Sequence, residues 1–254
     1  MLGFLNQHII VIFLALILIS SAPLKAQTVV IENFGSIGCT DSVVNEENIG
    51  KILKNNDNVL VLSCHTRMGS EENAYSMKVC RDRKFKYLSS MPTTPSSTPF
   101  IMINGRYDTK GYYPKVVSSG AKLAAKENPL IPSEIQLNGR TLIASLPELE
   151  NTEDMELYFF AYMKELHHGV EVSPHYHDEQ GNEIDIPEIL DIKFHNVVRV
   201  LKHLSAWSGN AETLEIPIKD SDYDGYAIIA QHKNLGPLVA AGYIEPTPQQ
   251  TPIP

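Results

Sequence analysis

The chain has 254 residues, of which 43% are hydrophobic and 20% are charged, and its formal net charge is −9 at pH 7. This length fits two domains, or one domain with a large addition. The acidic balance argues against binding to nucleic acid or to an anionic lipid surface.

Residues 1–26 are typical of an export signal. The almost unbroken apolar run from Ile9 to Ser20 has the length of a signal-peptide core and is too short to span a bilayer. We therefore predict cleavage before Gln27, export to the periplasm or the extracellular space, and no stable membrane insertion afterwards. Because residues 1–8 contain no Lys or Arg, an uncleaved anchor is the alternative.

The first half of the mature chain alternates strand and helix patterns. The apolar runs lead into turns in the spacing of a βαβ unit, which predicts parallel strands, and Asn104-Gly105 predicts an antiparallel hairpin after them. This pattern predicts an α/β domain over residues 27–129. Its predicted elements are strands Gln27–Phe34, Val59–Cys64 and Phe100–Ile103 and helices Asp41–Asn55, Glu71–Leu88 and Tyr113–Lys126.

The second half has short runs with strand periodicity, separated by turn residues. This spacing predicts a β-rich, sandwich-like domain over residues 130–245. Residues 246–254, rich in Pro, Thr and Gln, are predicted to form a disordered tail. The runs are Ser133–Leu149, Met155–Met163, Thr213–Ile218, Tyr226–Gln231 and Leu238–Ile244.

Cys39 follows a Gly-rich turn and stands at the start of a predicted helix. The unpaired N–H groups and the partial positive charge of a helix N-terminus favour a thiolate there. A two-thiol redox site would carry its second cysteine three residues further on, where this chain has Ser42. The other cysteines are Cys64 and Cys80, and an odd count leaves at least one thiol free or paired with another molecule.

The order of elements resembles the thioredoxin fold, with a cysteine at the first strand-to-helix turn and Pro99 before the third strand. In that fold the proline peptide bond is usually cis and lies against the reactive cysteine. A more specific resemblance, over nearly all of the mature chain, is to the exported thioredoxin-like family catalogued as domain of unknown function number 1223. The segments that carry it are Phe34–Cys39, Leu62–His65, Thr98–Arg106, His195–Arg199, Leu204–Gly209 and Gly236–Ala241.

The chain departs from this family in three places. Family members usually have Cys-X-X-Cys, and here Ser42 replaces the second cysteine. They commonly have an aspartate and a tryptophan shortly after the histidine that matches His65, and this chain has neither there. The segment Lys164–Asp191 is longer than the family's usual turn and reads as a surface expansion.

The first departure separates two functional hypotheses. With a serine in the resolving position, the resemblance implies a binding or scaffold protein with an unknown protein partner. The alternative is a thiol–disulfide oxidoreductase or isomerase that uses Cys39 as nucleophile beside Pro99. In that case an external thiol, or Cys64 as a displaced resolving cysteine with His65 holding a proton nearby, would complete the cycle. Cys64 could instead fill a core position, and Cys80 could pair with Cys64 or stay free.

Two further groups of residues stand out. His167, His168, His175 and His177 are ligand types that Zn or Cu prefers, so a metal site is one interpretation and a solvated loop is the other. For the segment His195–Arg199 and Trp207, one interpretation is a ligand contact, and the favoured one is structural, with Trp207 and Arg199 pinning a helix or strand to the second domain. We see no phosphate-binding loop and no Ser-His-Asp order, and we predict no cofactor.

Overall fold

The computed structural model describes residues 29–67, 74–91, 97–110, 113–150, 154–172, 175–177, 183–185, 188–219 and 223–246. The predicted signal peptide and all but the first residue of the predicted tail lie outside these ranges. Within them the fold is mixed α/β, with a nine-stranded mixed sheet, a three-stranded antiparallel sheet and a two-stranded pair. No helix in the described ranges is both long enough and apolar enough to cross a bilayer.

The first half of the chain follows the predicted order of elements. Strands β1 (Val29–Phe34) and β2 (Val59–Ser63) are buried throughout and pair in parallel, as the βαβ spacing predicts. At the β3–β4 hairpin, Asn104 and Gly105 both have positive φ, 47° and 64°, which an Asn-Gly turn accommodates. The elements are β1 (Val29–Phe34), α1 (Thr40–Asn55), β2 (Val59–Ser63), α2 (Lys78–Ser90), β3 (Phe100–Ile103), β4 (Tyr107–Lys110) and α3 (Pro114–Glu127).

Helix α2 begins seven residues later than the predicted start at Glu71. Met77 takes the N-cap position, and its backbone N–H donates to the carbonyl oxygen of His65 at 3.0 Å. This bond holds the segment before α2 against the residues that follow β2. The helix begins at the next residue, Lys78.

The second half of the chain is built from strands, as predicted, but two of them are much longer than expected. The predicted strand Met155–Met163 continues to Val172, and the segment from Glu188 to Trp207 is a single strand of 20 residues. The strands are β5 (Ile131–Pro132), β6 (Glu134–Asn138), β7 (Thr141–Leu146), β8 (Met155–Val172), β9 (His175–His177), β10 (Glu183–Asp185), β11 (Glu188–Trp207), β12 (Glu212–Pro217), β13 (Gly225–His232) and β14 (Leu238–Ile244).

Strand β11 joins the two halves of the chain into one sheet. Its Val197 pairs in parallel with Ser63 of β2, and the side-chain amide of Asn196 donates to the Val61 carbonyl at 2.9 Å. Strands from both sides of the boundary predicted near residue 129 therefore belong to one continuous sheet. The strand order is β4-β3-β1-β2-β11-β8-β13-β14-β5.

Alternate residues of β1 and β2 face different helices, as the two-residue strand period requires. Ile31 and Val61 pack against α1 and α3, whereas Val30 and Leu62 share a core with α2 and with strands of the second half. The small sheet β12-β7-β6 covers part of the large sheet and shares a third core with β8, β13 and β14. Cys39 thus stands where β1 leaves the sheet and α1 begins.

Candidate functional site

The backbone holds Cys39 at the N-cap of α1. Its N–H donates to the Ser36 carbonyl at 3.2 Å, and its own carbonyl accepts from the N–H groups of Ser42 and Val43. Its side chain makes no capping bond and is partly exposed. The structure therefore places this thiol at a helix start within reach of a partner molecule.

Pro99 lies beside Cys39, as the resemblance implied. The Thr98–Pro99 peptide bond is cis, and the Cys39 thiol donates to the Thr98 carbonyl oxygen with Sγ at 3.4 Å. The turn after β1 and the entry to β3 are 59 residues apart in sequence and meet at this contact.

Ser42 is turned into the protein. It is 1% exposed, and its Oγ accepts a hydrogen bond from the backbone N–H of Ser36 at 3.1 Å. A mixed disulfide is resolved by a thiolate, and Ser42 carries a hydroxyl group, so it cannot resolve a mixed disulfide on Cys39. Its bond to Ser36 instead fastens the turn that presents the cysteine.

The remaining two cysteines are bonded to each other. Cys64, directly after β2, and Cys80, in the first turn of α2, form a disulfide, and both are at most 1% exposed. The hypothesis that Cys64 acts as a displaced resolving thiolate for Cys39 does not match this pairing. The disulfide joins the sheet to α2 and leaves Cys39 as the free thiol.

We expect loss of this disulfide to lower stability strongly. Cys64 and Cys80 are 16 residues apart, and a loop of about that length restricts the unfolded chain by roughly 3 kcal/mol. The Cys64→Ala/Cys80→Ala variant should therefore unfold in urea with a free energy of unfolding about 3 kcal/mol lower than wild type. Cys39→Ala is the matched control, since it removes a cysteine but no cross-link, and an equal loss in that variant would contradict the expectation.

His65 occupies the predicted sheet edge but is fully buried. Its ring lies edge-on to Phe194, with centroids 5.3 Å apart, and to Tyr75 at 6.0 Å. Burial, with a smaller contribution from the positive charge of Arg199, lowers the pKa of His65 to about 4. It is therefore neutral at neutral pH, which does not match the hypothesis that it holds a proton for thiol chemistry.

The four histidines of the predicted metal site lie on two strands of different sheets, His167 and His168 on β8 and the other two on β9. His167 contacts Asp191, with Nδ1 3.0 Å from Oδ2, while the ring of His168 lies against Tyr75. His175 and His177 belong to β9, and their side chains lie outside the described part of the chain. No group of three or more potential metal ligands occurs among the described residues, so the metal site stays a prediction.

Trp207 packs in the core of the second half, as expected, whereas Arg199 contacts the first half of the chain instead of the second. Arg199 donates to the Ala74 carbonyl at 3.0 Å and lies over the Tyr75 ring, and the Trp207 indole N–H donates to the Asn210 carbonyl at 2.8 Å. The two residues fix the segment before α2 and the end of β11, respectively.

No sequence pattern pointed to Lys84, which the fold places beside the cysteine site. Lys84 is 5% exposed, and its ammonium donates to Oγ1 of Thr98 at 2.7 Å. Thr98 therefore contacts Cys39 through its carbonyl and Lys84 through its hydroxyl. In the sequence Lys84 belongs to a run of charged helical residues that is typical of a solvated surface.

Glu46 is a second buried ionisable residue that the sequence did not single out. It lies on α1, and its carboxyl group accepts from the His195 backbone N–H at 3.2 Å and from the Asn33 side-chain amide at 3.3 Å. Burial raises the pKa of Glu46 to about 8, although these two hydrogen bonds act to lower it. Its polar contacts link α1 to β1 and to β11.

The raised pKa of Glu46 predicts that stability falls as pH rises. Between about pH 4.5 and pH 8 the folded protein holds a proton on Glu46 that the unfolded chain has released, so unfolding becomes more favourable with rising pH. The contribution approaches about 1.4 kcal/mol per pH unit in this window. Because the lowered pKa of His65 acts in the opposite direction below about pH 6.5, the test range is pH 7 to pH 9, where urea unfolding should show a flatter profile for Glu46→Gln than for wild type. Glu47→Gln, at an exposed neighbouring position, should keep the wild-type profile.

Comparison with known proteins supports the fold. Neither a protein-family model nor a curated protein sequence matches the chain. Its fold is similar to a crystal structure of an Agrobacterium tumefaciens protein, the structural genomics target AtR35, with a TM-score of 0.70 and 18% identity over 89% of this chain and 97% of that one. It is also similar to HBP35 of Porphyromonas gingivalis, with a TM-score of 0.56 and 13% identity over 90% of this chain and 80% of that one. At these identities the similarity concerns the fold alone.

Proposed function

We propose that this chain is an exported, thioredoxin-like binding protein that does not run a two-thiol redox cycle. The observation that carries the proposal is the state of its three cysteines. Cys64 and Cys80 are bonded to each other in the core, and Cys39 is free and partly exposed. A two-thiol cycle needs a second thiolate near the first, and neither partner of the disulfide is available for that role.

Several features support the thioredoxin-like part of the proposal. The first seven elements run β1 α1 β2 α2 β3 β4 α3, and a cis Thr98–Pro99 bond lies against Cys39. The resemblance to domain of unknown function 1223 belongs to the same proposal and is carried by the sequence segments named above. The buried disulfide favours an oxidising compartment, which fits the predicted export.

A redox titration tests the absence of a two-thiol cycle. We expect wild-type protein, equilibrated in mixtures of reduced and oxidised glutathione, to change only by gaining one glutathione on Cys39, read by mass spectrometry of its peptides. In a dithiothreitol-driven insulin reduction assay it should add nothing to the uncatalysed rate. Catalysed turnover, or a disulfide that includes Cys39 and either other cysteine, would contradict the proposal.

A second candidate function, thiol–disulfide exchange by Cys39 with an external thiol, is favoured by the surroundings of its sulfur. The thiol is partly exposed, it stands at a helix start, and the buried ammonium of Lys84 lies beyond Thr98. An assay in which reduced glutathione is the only reductant and a glutathionylated peptide is the substrate tests it. Turnover that is present in wild type and lost in Cys39→Ser supports this candidate.

A further inference from the structure

Lys84 is an unusual residue to bury in this protein. Lysine is almost never fully buried unless it is paired with a negative charge, because an ammonium group loses much hydration energy in the interior. Lys84 is 5% exposed, and its hydrogen-bond acceptor is the neutral hydroxyl of Thr98. Within the described part of the chain, no carboxylate forms an ion pair with it.

The negative charge that does act on Lys84 is that of Cys39. Burial lowers the pKa of Lys84, and the charge of the Cys39 thiolate acts to raise it. The geometry explains this coupling, because one residue separates the two groups. The Thr98 carbonyl oxygen is 3.4 Å from Cys39 Sγ, and the Thr98 hydroxyl accepts from the ammonium at 2.7 Å. The bond to the carbonyl is made by the neutral thiol, so Lys84 is the group at this site that favours the thiolate.

We infer that Lys84 is the counter-charge of the Cys39 thiolate and a positioning residue for exchange with a disulfide of a partner molecule. This inference rests on the second candidate function above. The Cys39 thiolate attacks one sulfur of the partner disulfide, a new S–S bond forms, and the other partner sulfur leaves as a thiolate that takes a proton from water. Lys84 keeps its proton throughout. Asp41 in the first turn of α1 carries a negative charge, which acts against the thiolate, but this residue is exposed to solvent.

The inference predicts a pH-dependent loss of reactivity in Lys84→Met. A methionine fills the buried site without the charge, and we expect Cys39 to react about tenfold more slowly at pH 7 with dithiodipyridine, a neutral disulfide probe. The difference should close near pH 10, above the ordinary pKa of a cysteine side chain, which is about 8.5. Lys86→Met, at an exposed position of the same helix, is the matched control and should react as wild type does. Equal rates in all three proteins at pH 7, or a loss of the same size at every pH, would overturn the inference.

A second measurement follows the titration of Lys84 itself, so it does not depend on whether a Lys84 variant folds. In Cys39→Ser the thiolate is absent, so the titration of Lys84, followed by its side-chain carbon NMR signal, should move to lower pH than in wild type. An unchanged titration would overturn the inference. If the probe reacts equally fast in wild type and Lys84→Met, exchange by Cys39 stands without Lys84. If wild-type Cys39 does not react with the probe at all, both the exchange function and this inference fail.

Discussion

The Ser42→Cys variant is expected to gain dithiol reductase activity that the wild-type protein lacks. In this variant Cys39 is followed three residues later by a second thiol in the same helical turn, where the Ser42 N–H already donates to the Cys39 carbonyl at 2.9 Å. An intramolecular thiolate resolves a mixed disulfide far faster than a dilute external thiol does. Insulin reduction driven by dithiothreitol should rise by roughly a hundredfold or more over wild type.

The site has room for this change. A Cβ on Gly35 would stand 3.6 Å from both Cβ and Oγ of Ser42, and its absence leaves space for a sulfur. The substitution weakens the bond from the Ser36 N–H, which costs about 1 kcal/mol of stability.

Two control variants isolate the new thiol. Ser42→Ala removes the hydroxyl without adding sulfur and should stay inactive. Cys39→Ser/Ser42→Cys keeps the new thiol but loses the nucleophile and should be inactive as well. If Ser42→Cys folds, as judged by its Cys64–Cys80 disulfide and urea unfolding, yet reduces no insulin, then the Cys39 site does not have the proposed thioredoxin-like geometry.

The second large effect is expected at the buried ion pair of Glu32 and Arg83. The Arg83 guanidinium donates to both carboxylate oxygens of Glu32, at 2.5 and 3.0 Å, and both side chains are at most 4% exposed. It also donates to Tyr87 and to Gln231, so one group joins β1, α2 and β13. Arg83→Met leaves the Glu32 carboxylate buried without the positive charge of the guanidinium, and it should lower the free energy of unfolding by about 3–5 kcal/mol.

A double variant tells whether the loss comes from the stranded charge. Glu32→Met/Arg83→Met replaces both partners by apolar side chains and should cost less than Arg83→Met alone, measured by urea unfolding at pH 7. Lys78→Met, which breaks the exposed ion pair with Asp82 on the same helix, should change stability by no more than about 0.5 kcal/mol. A double variant as unstable as the single one would show that packing, and not charge, dominates at this site.

Local patterns in the sequence predicted most of the elements. The continuous apolar run of β2 identified a strand that is buried on both faces, and Asn104-Gly105 located the β3–β4 hairpin. The length of β11 was not predictable in this way. Its residues are paired with β8 along most of its length, and the paired residues range from Glu188 with Val172, 16 positions apart, to Trp207 with Met155, 52 positions apart. Strand pairing of this kind is set by partners and not by the local pattern.

Local sequence features located the candidate thiol: a strand, a Gly-rich turn and Cys39 at the start of a helix, with Ser42 where a second cysteine would stand. These are features of adjacent residues, so short-range rules reach them. The tertiary structure alone decided that Cys64 bonds Cys80, that His65 is buried and neutral, and that Lys84 lies beyond Thr98 from Cys39. Each of these depends on contacts between elements distant in the chain. Such contacts determine which cysteines can form a disulfide and which ionisable side chains are buried away from water.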